Sequence, residues 1–248
     1  MRNLILIGFI ASLLAGLATG LGSVLVLFFK KVTAKFLDSA LGFAAGVMLS
    51  ATFFSLLLPA IEKGGILKTV TGFILGVLFV NYADKFIPHK HFVRGEKGPV
   101  SSLRKLWLFI FAITIHNFPE GLAVGVGFGD GDIKAGTVLA IGIGLQNIPE
   151  GLAVSFPLLR EGYKRFPAFL IGLLTGLVEP VGGLLGISLV SLGKFLLPYG
   201  LAFAAGAMLF VISEEIIPES HSRGNDRQAT MGIIIGFLLM MILDTLLG

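Results

Sequence analysis

Apolar residues run for membrane-crossing lengths along this chain, separated by short polar or Gly-containing breaks. A bilayer core of roughly 30 Å needs about 20 apolar residues per helix. Runs of that kind occupy about 3–28, 38–60, 69–88, 105–127, 134–158, 166–190, 195–218 and 230–247. The pattern predicts an all-α, polytopic membrane protein with eight transmembrane helices. Arg2 ahead of the first run would also suit a signal peptide, but the internal repeat described next predicts that the run is retained. The longest break, 89–104, reads "HKHFVRGEKGPVSSLR" and is predicted to be a loop. No linker or low-complexity tract divides the chain, so 1–248 is expected to form a single transmembrane domain.

The runs repeat one another. "LLAGLATGLGS" at 13–23 aligns with "LLTGLVEPVGG" at 173–183, and "LGFAAGVML" at 41–49 with "LAFAAGAML" at 201–209. Gly72, Gly76, Leu78 and Asp84 match Gly232, Gly236, Leu238 and Asp244 at the same offset of 160 residues. The first three runs and the last three are therefore copies, and the five crossings between their starts make them an inverted repeat. Runs four and five form their own pair, giving a 3+2+3 arrangement. Inverted repeats around a midplane site are a recurring plan of secondary transporters.

Composition supports the membrane reading. The chain is 55% hydrophobic and 14% charged, against about 25% charged in soluble domains, and its mean hydropathy is +0.92. The pI of about 9.4 would suit a nucleic-acid partner, but the distribution of charge removes that reading. With eight crossings, one set of loops holds Lys30, Lys31, Lys35, Lys85, Lys90, Arg94, Lys97, Arg104, Lys105, Arg160, Lys164, Arg165, Arg223 and Arg227. The other set holds Arg2, Lys63, Lys68, Lys134 and Lys194. Lys and Arg accumulate on the cytoplasmic side. Both termini are thus expected outside a cell membrane that the chain crosses many times, and the 89–104 loop inside. No cysteine is present, which excludes disulfides and thiolate ligands.

The costliest residues lie mid-run. "HNFPEG" at 116–121 returns as "QNIPEG" at 146–151. His116, Asn117 and Glu120 share one helical face, as do Gln146, Asn147 and Glu150. Glu179 in "VEPVGG" sits near the middle of run six. A charge in lipid costs at least ~2.5–3.5 kcal/mol even on lenient insertion scales. Three carboxylates at one depth, with no Lys or Arg near that depth in these runs, are either protonated or gathered around a cation. A lone membrane histidine or amide is readily explained as an interhelical hydrogen bond; the repeated set is not. Imidazole, amide oxygens and carboxylates suit a divalent ion such as Zn²⁺, Fe²⁺, Mn²⁺ or Cd²⁺. Pro119 and Pro149 free the carbonyls of Ile115 and Leu145, and Pro180 is predicted to act likewise beside Glu179.

At these residues the chain resembles the ZIP (Zrt/Irt-like) family of divalent metal transporters. "HNFPEG", "QNIPEG", the "EP" of run six and the "EE" of run seven carry the resemblance, over essentially the whole chain. It implies a binuclear centre, with His116, Glu120, Gln146 and Glu150 at a primary site. Asn117, Glu120, Asn147, Glu150 and Glu179 match a secondary one. Many members carry Asp where this chain has Asn147, and the pattern is similar to the GufA-like branch. The resemblance also implies a homodimer in which runs 1, 4, 5 and 6 move against runs 2, 3, 7 and 8.

Glu214, Glu215, Glu219 and His221, toward the cytoplasmic end of run seven, form a candidate exit route for the ion. Asp130 and Asp132 are candidates for gathering cations outside, and His89 and His91 for transient binding inside. The expected activity is transport of divalent cations, Zn²⁺ first among them, into the cytoplasm. The expected protein is no enzyme and needs no organic cofactor. An intramembrane metal hydrolase is the alternative, though no HExxH pattern occurs. A proton-conducting carrier using the same carboxylates is another.

Overall fold

A computed structural model describes residues 2–86, 102–129 and 131–247. Among them there are helices and no strands, as expected where backbone polar groups must find partners within their own segment. The helices are α1 (Arg2–Ser23), α2 (Leu25–Phe28), α3 (Ala34–Ala51), α4 (Leu58–Phe86), α5 (Ser102–Gly127) and α6 (Ile133–Arg160). They continue as α7 (Arg165–Gly176), α8 (Glu179–Leu192), α9 (Leu197–Val211), α10 (Ile217–Ser220) and α11 (Asp226–Leu247). Among the described residues seven stretches are long and apolar enough to cross a membrane, so the chain is a polytopic membrane protein. One of the seven, Ala34–Ala83, is 50 residues long. It is interrupted at Gly65, whose φ of 73° and ψ of 170° are not helical.

Helix α3 packs along α11 and α4 along α9 as two pairs that meet through the π-helical stretches described below, and α1, α5, α6, α7 and α8 surround one another in a further group. Contacts between α3 and α6, and between α5 and α9, join the groups. Small residues set how closely the helices approach. A Cβ on Gly46 would collide with the carbonyl oxygen of Ile233, and one on Gly206 with that of Phe73. These two contacts are related by the offset of 160 residues seen in the sequence. Gly16 and Gly176, equivalent at the same offset, face each other, each with a carbonyl where the other's Cβ would lie.

Two π-helical stretches, Thr52–Leu57 and Ile212–Ile216, fall at equivalent places. Each ends with a backbone N–H reaching back five residues, Leu58 to Phe53 and Ile217 to Ile212. Pro59 and Pro218 follow immediately. A proline ring clashes with the carbonyl four residues earlier, and widening the preceding turn relieves that clash. The bulge turns the downstream side chains relative to a regular helix, an effect that residue periodicity does not reveal.

Candidate metal centre

Helix α5 carries His116, Asn117 and Glu120, α6 carries Gln146, Asn147 and Glu150, and Glu179 opens α8. All seven are at most 2% exposed. Pro119 and Pro149 lie inside continuous helices. Around Pro180 the outcome is stronger than a kink: α7 stops at Gly176 and α8 starts at Glu179. Pro180 cannot donate to the Gly176 carbonyl, and that oxygen faces Gly16 of α1 instead. The Glu179 carboxylate gains from the positive end of the α8 dipole, an effect worth about 0.3–1 kcal/mol.

The glycine closing each six-residue motif has a packing role. A Cβ on Gly121 would collide with the Glu179 carbonyl, and one on Gly151 with the Thr19 carbonyl. Thr19 and Glu179 are equivalent at the 160-residue offset, so the two motifs dock against equivalent points of the repeat. Glycine there brings α5 and α6 to backbone contact with α8 and α1, and this draws the polar residues together.

The carboxylates share one electrostatic environment. Glu120 interacts with Glu150 and Glu179, Glu179 with Glu150, and Glu150 with His116. Hydrogen bonds satisfy only part of the set. Asn147 Nδ2 donates to the Ala15 carbonyl at 2.8 Å and to Glu179 Oε1 at 2.5 Å. His116 Nε2 lies 2.8 Å from Glu215 Oε1. Thirteen buried side-chain atoms among the described residues lack a hydrogen-bond partner, and eleven belong to these seven residues. Both oxygens of Glu120 and of Glu150 are among the eleven. Buried polar groups are otherwise almost always paired. Among the described residues, no group of three or more His, Asp or Glu side chains is arranged by itself to hold a metal ion.

The four residues of the candidate exit route have different surroundings. Glu214 is exposed. Glu215, in the π-helical stretch, reaches inward to His116, so it adjoins the centre. Glu219 is ion-paired with Arg223, which also holds the fully buried Asp38 at 2.7 Å. Asn225 donates to the other Asp38 oxygen at 2.8 Å. His221 Nδ1 lies 2.9 Å from the Ile217 carbonyl and Nε2 3.2 Å from the Thr230 hydroxyl. Glu219 and His221 thus tie the turn before α11 to its neighbours. Asp132 caps α6 by accepting from Ala135 N. His89, His91 and Asp130 lie outside the described residues.

A polytopic helical bundle enclosing buried, incompletely paired carboxylates and amides beside an imidazole has the make-up of a membrane transporter for divalent metal cations. Comparison with known proteins agrees. The family model "ZIP Zinc transporter" matches residues 91–244, more than half of the chain. The chain is 45% identical to zinc transporter GufA of Myxococcus xanthus, over 97% of this chain and 99% of that protein. It is 42% identical to zinc transporter ZIPB of Bordetella bronchiseptica, over 93% of this chain and 78% of that protein. It is also 37% identical to human zinc transporter ZIP11, over 93% and 94% respectively. The chain belongs to the ZIP zinc transporter family, and it is a multi-pass membrane protein that transports divalent metal ions.

Proposed function

We propose that the chain carries Zn²⁺ or a related divalent cation into the cytoplasm through the centre formed by α5, α6 and the start of α8. The observation that carries this reading is the set of eleven buried, unpartnered donor and acceptor atoms on seven side chains. Leaving a buried polar atom unmet costs about 1–3 kcal/mol, and more for a charged one. A chain accepts that cost where a ligand completes the shell. The amide oxygens of Gln146, Asn117 and Asn147 are buried and unpartnered beside the carboxylates, so they are available to complete the donor set. A site mixing carboxylates with weaker neutral oxygens suits capture followed by release.

We further propose eight crossings with both termini outside. The 50-residue stretch Ala34–Ala83 would extend far beyond one bilayer, since each helical residue rises 1.5 Å and the core is roughly 30 Å thick. The reversal falls at Gly65, where the backbone leaves helical geometry. The matched glycine contacts and matched π-helical stretches support the 3+2+3 inverted repeat. The packing groups support movement of α1, α5, α6, α7 and α8 against α3, α4, α9 and α11. The protein is then a carrier rather than an enzyme, and a homodimer is the expected assembly.

Uptake of Zn²⁺ into proteoliposomes, read with an enclosed fluorescent indicator, tests the site. Uptake is expected for the wild type and expected to be lost in Glu120→Ala and Glu150→Ala. Unchanged uptake in both variants would remove the proposed centre.

A further inference from the structure

We infer that the groove between the first turns of α3 and α11 binds an anionic phospholipid of the cytoplasmic leaflet, with its phosphate on Lys35 and Arg227. The inference lies beyond the transport reading and takes from it only which membrane face is cytoplasmic.

Helices α3 and α11 run side by side in the same direction. The carbonyls of Ser39 and Phe43 stand where Cβ atoms on Gly232 and Gly236 would lie, and those of Ala229 and Ile233 where Cβ atoms on Gly42 and Gly46 would lie. Residue numbers thus rise together on both helices, and both first turns reach one face of the membrane. Gly232 forms the floor of a groove of about 360 Å³ between them. That volume is in the range of small-molecule sites, about 300–1,000 Å³.

The groove changes character along its length. Ser39, Arg227 and Gln228 line its mouth, and Phe43, Met231 and Ile235 line the part farther into the bilayer. Arg227 and Ile235 are two turns apart on α11, about 12 Å along the helix. Met231 and Ile235 are 49% and 56% exposed, so the apolar part opens sideways to the lipid. Lys35 lies one turn before Ser39 on the same face of α3, and the Ser39 hydroxyl donates to its carbonyl at 2.8 Å. Lys35 and Arg227 are both exposed. Asp38 is held by Arg223 and Asn225. Within 29–36 and 226–228, Lys30, Lys31, Lys35 and Arg227 therefore stand against Asp226 alone.

Positive charge at the mouth and an apolar trough behind it match a lipid phosphate and its acyl chain. A soluble anion would use only the mouth, and a lipid without net charge would gain little from it. The cytoplasmic leaflet is the one rich in anionic lipids, and basic pockets between membrane helices on that side take their head groups. Lys and Arg reach such phosphates while their stems lie on apolar surface.

The test titrates the purified full-length chain, in lipid-free detergent, with phosphatidylglycerol and with phosphatidylcholine of the same acyl chains. Bound lipids are counted by native mass spectrometry. One saturable phosphatidylglycerol per chain is expected, held more tightly than phosphatidylcholine. Each cation near an anionic head group contributes a factor of about five, so Lys35→Gln combined with Arg227→Gln should weaken phosphatidylglycerol about 25-fold and leave phosphatidylcholine unchanged. Met231→Trp fills the trough at unchanged charge and should weaken both lipids. All three substituted residues are exposed, so the variants are expected to fold. Equal binding of the two lipids by the wild type overturns the inference, as does unchanged phosphatidylglycerol affinity in the double variant. Unchanged affinity in Met231→Trp would leave only a surface charge effect and overturn the groove. Efficient cross-linking of Met231→Cys between two chains in the membrane would seat a second copy there and overturn it as well. Zn²⁺ uptake plays no part in these readings, so a failure here leaves the transport reading intact.

Discussion

Glu120 and Glu150 hold equivalent places in the motifs of α5 and α6; neither oxygen of Glu150 has a hydrogen-bond partner, and Glu120 has only the Gln146 amide beside it. Replacing either with glutamine keeps its volume and removes its charge. Uptake should fall at least about 100-fold, since even outer-shell changes at metal sites cost 10–100-fold. A structural carboxylate would behave differently, because its loss would lower the melting temperature in chelator. Here that temperature should hold or rise, because an unpaired buried charge destabilises the fold. His116 offers a second check. Its Nε2 faces Glu215, and Glu215→Ala leaves that nitrogen unmet, a cost of about 1–3 kcal/mol. Slower uptake with Zn²⁺ binding at the centre retained is the expected result. Complete loss of binding would instead make Glu215 a ligand in its own right. The seven residues of the proposed centre stood out in the sequence, because hydrophilic groups are conspicuous inside apolar runs, and the structure buries all seven. The Glu215 contact was not, since it joins positions 99 apart.

Between residues and the whole molecule stand the helices and their breaks. Most boundaries followed from the apolar runs, and the structure differs where proline acts. The sixth predicted run is two helices, α7 and α8, parted at Pro180, which places Glu179 at a helix start. The second and third runs meet in one long stretch broken at Gly65. The π-helical turns had no sequence expectation at all, because the apolar period there is too short to show a one-residue slip. Glycine packing yields a quantitative test of the repeat. Gly46→Leu and Gly206→Leu meet equivalent backbone carbonyls and should destabilise comparably, each by at least about 1–3 kcal/mol, the range for overpacked cores. Chemical denaturation of the two variants in matched detergent checks this. A harmless substitution at one site and a damaging one at the other would show the two contacts to be unrelated.

At the scale of the molecule, one ionic cluster has no counterpart across the repeat. Arg223 joins Glu219 and the buried Asp38, whereas the equivalents of Asp38 and Glu219 are Pro198 and Pro59. Removing one partner of a buried pair costs about 3–5 kcal/mol, and Arg223→Ala is expected to lose much of that range in a thermal melt. The double variant Arg223→Ala, Asp38→Asn should recover part of the loss. Topology is open to direct labelling, because the chain has no cysteine. Single cysteines at Glu62 and at Lys31 should react with membrane-impermeant reagent from opposite sides, Glu62 from outside. Reaction of both from one side would replace the eight-crossing arrangement.

The residue order alone determined that this chain lives in a membrane, that its two ends share a sequence pattern at an offset of 160 residues, and that two motifs and Glu179 place hydrophilic groups inside apolar runs. These are properties of local composition and spacing, which any stretch of chain displays unaided. Only the tertiary structure decided which of those groups are already satisfied. Asn147 finds Ala15 at a separation of 132 residues, and Arg223 finds Asp38 at 185. Partners so remote leave no mark on local periodicity, and one of them is a backbone carbonyl that every residue possesses.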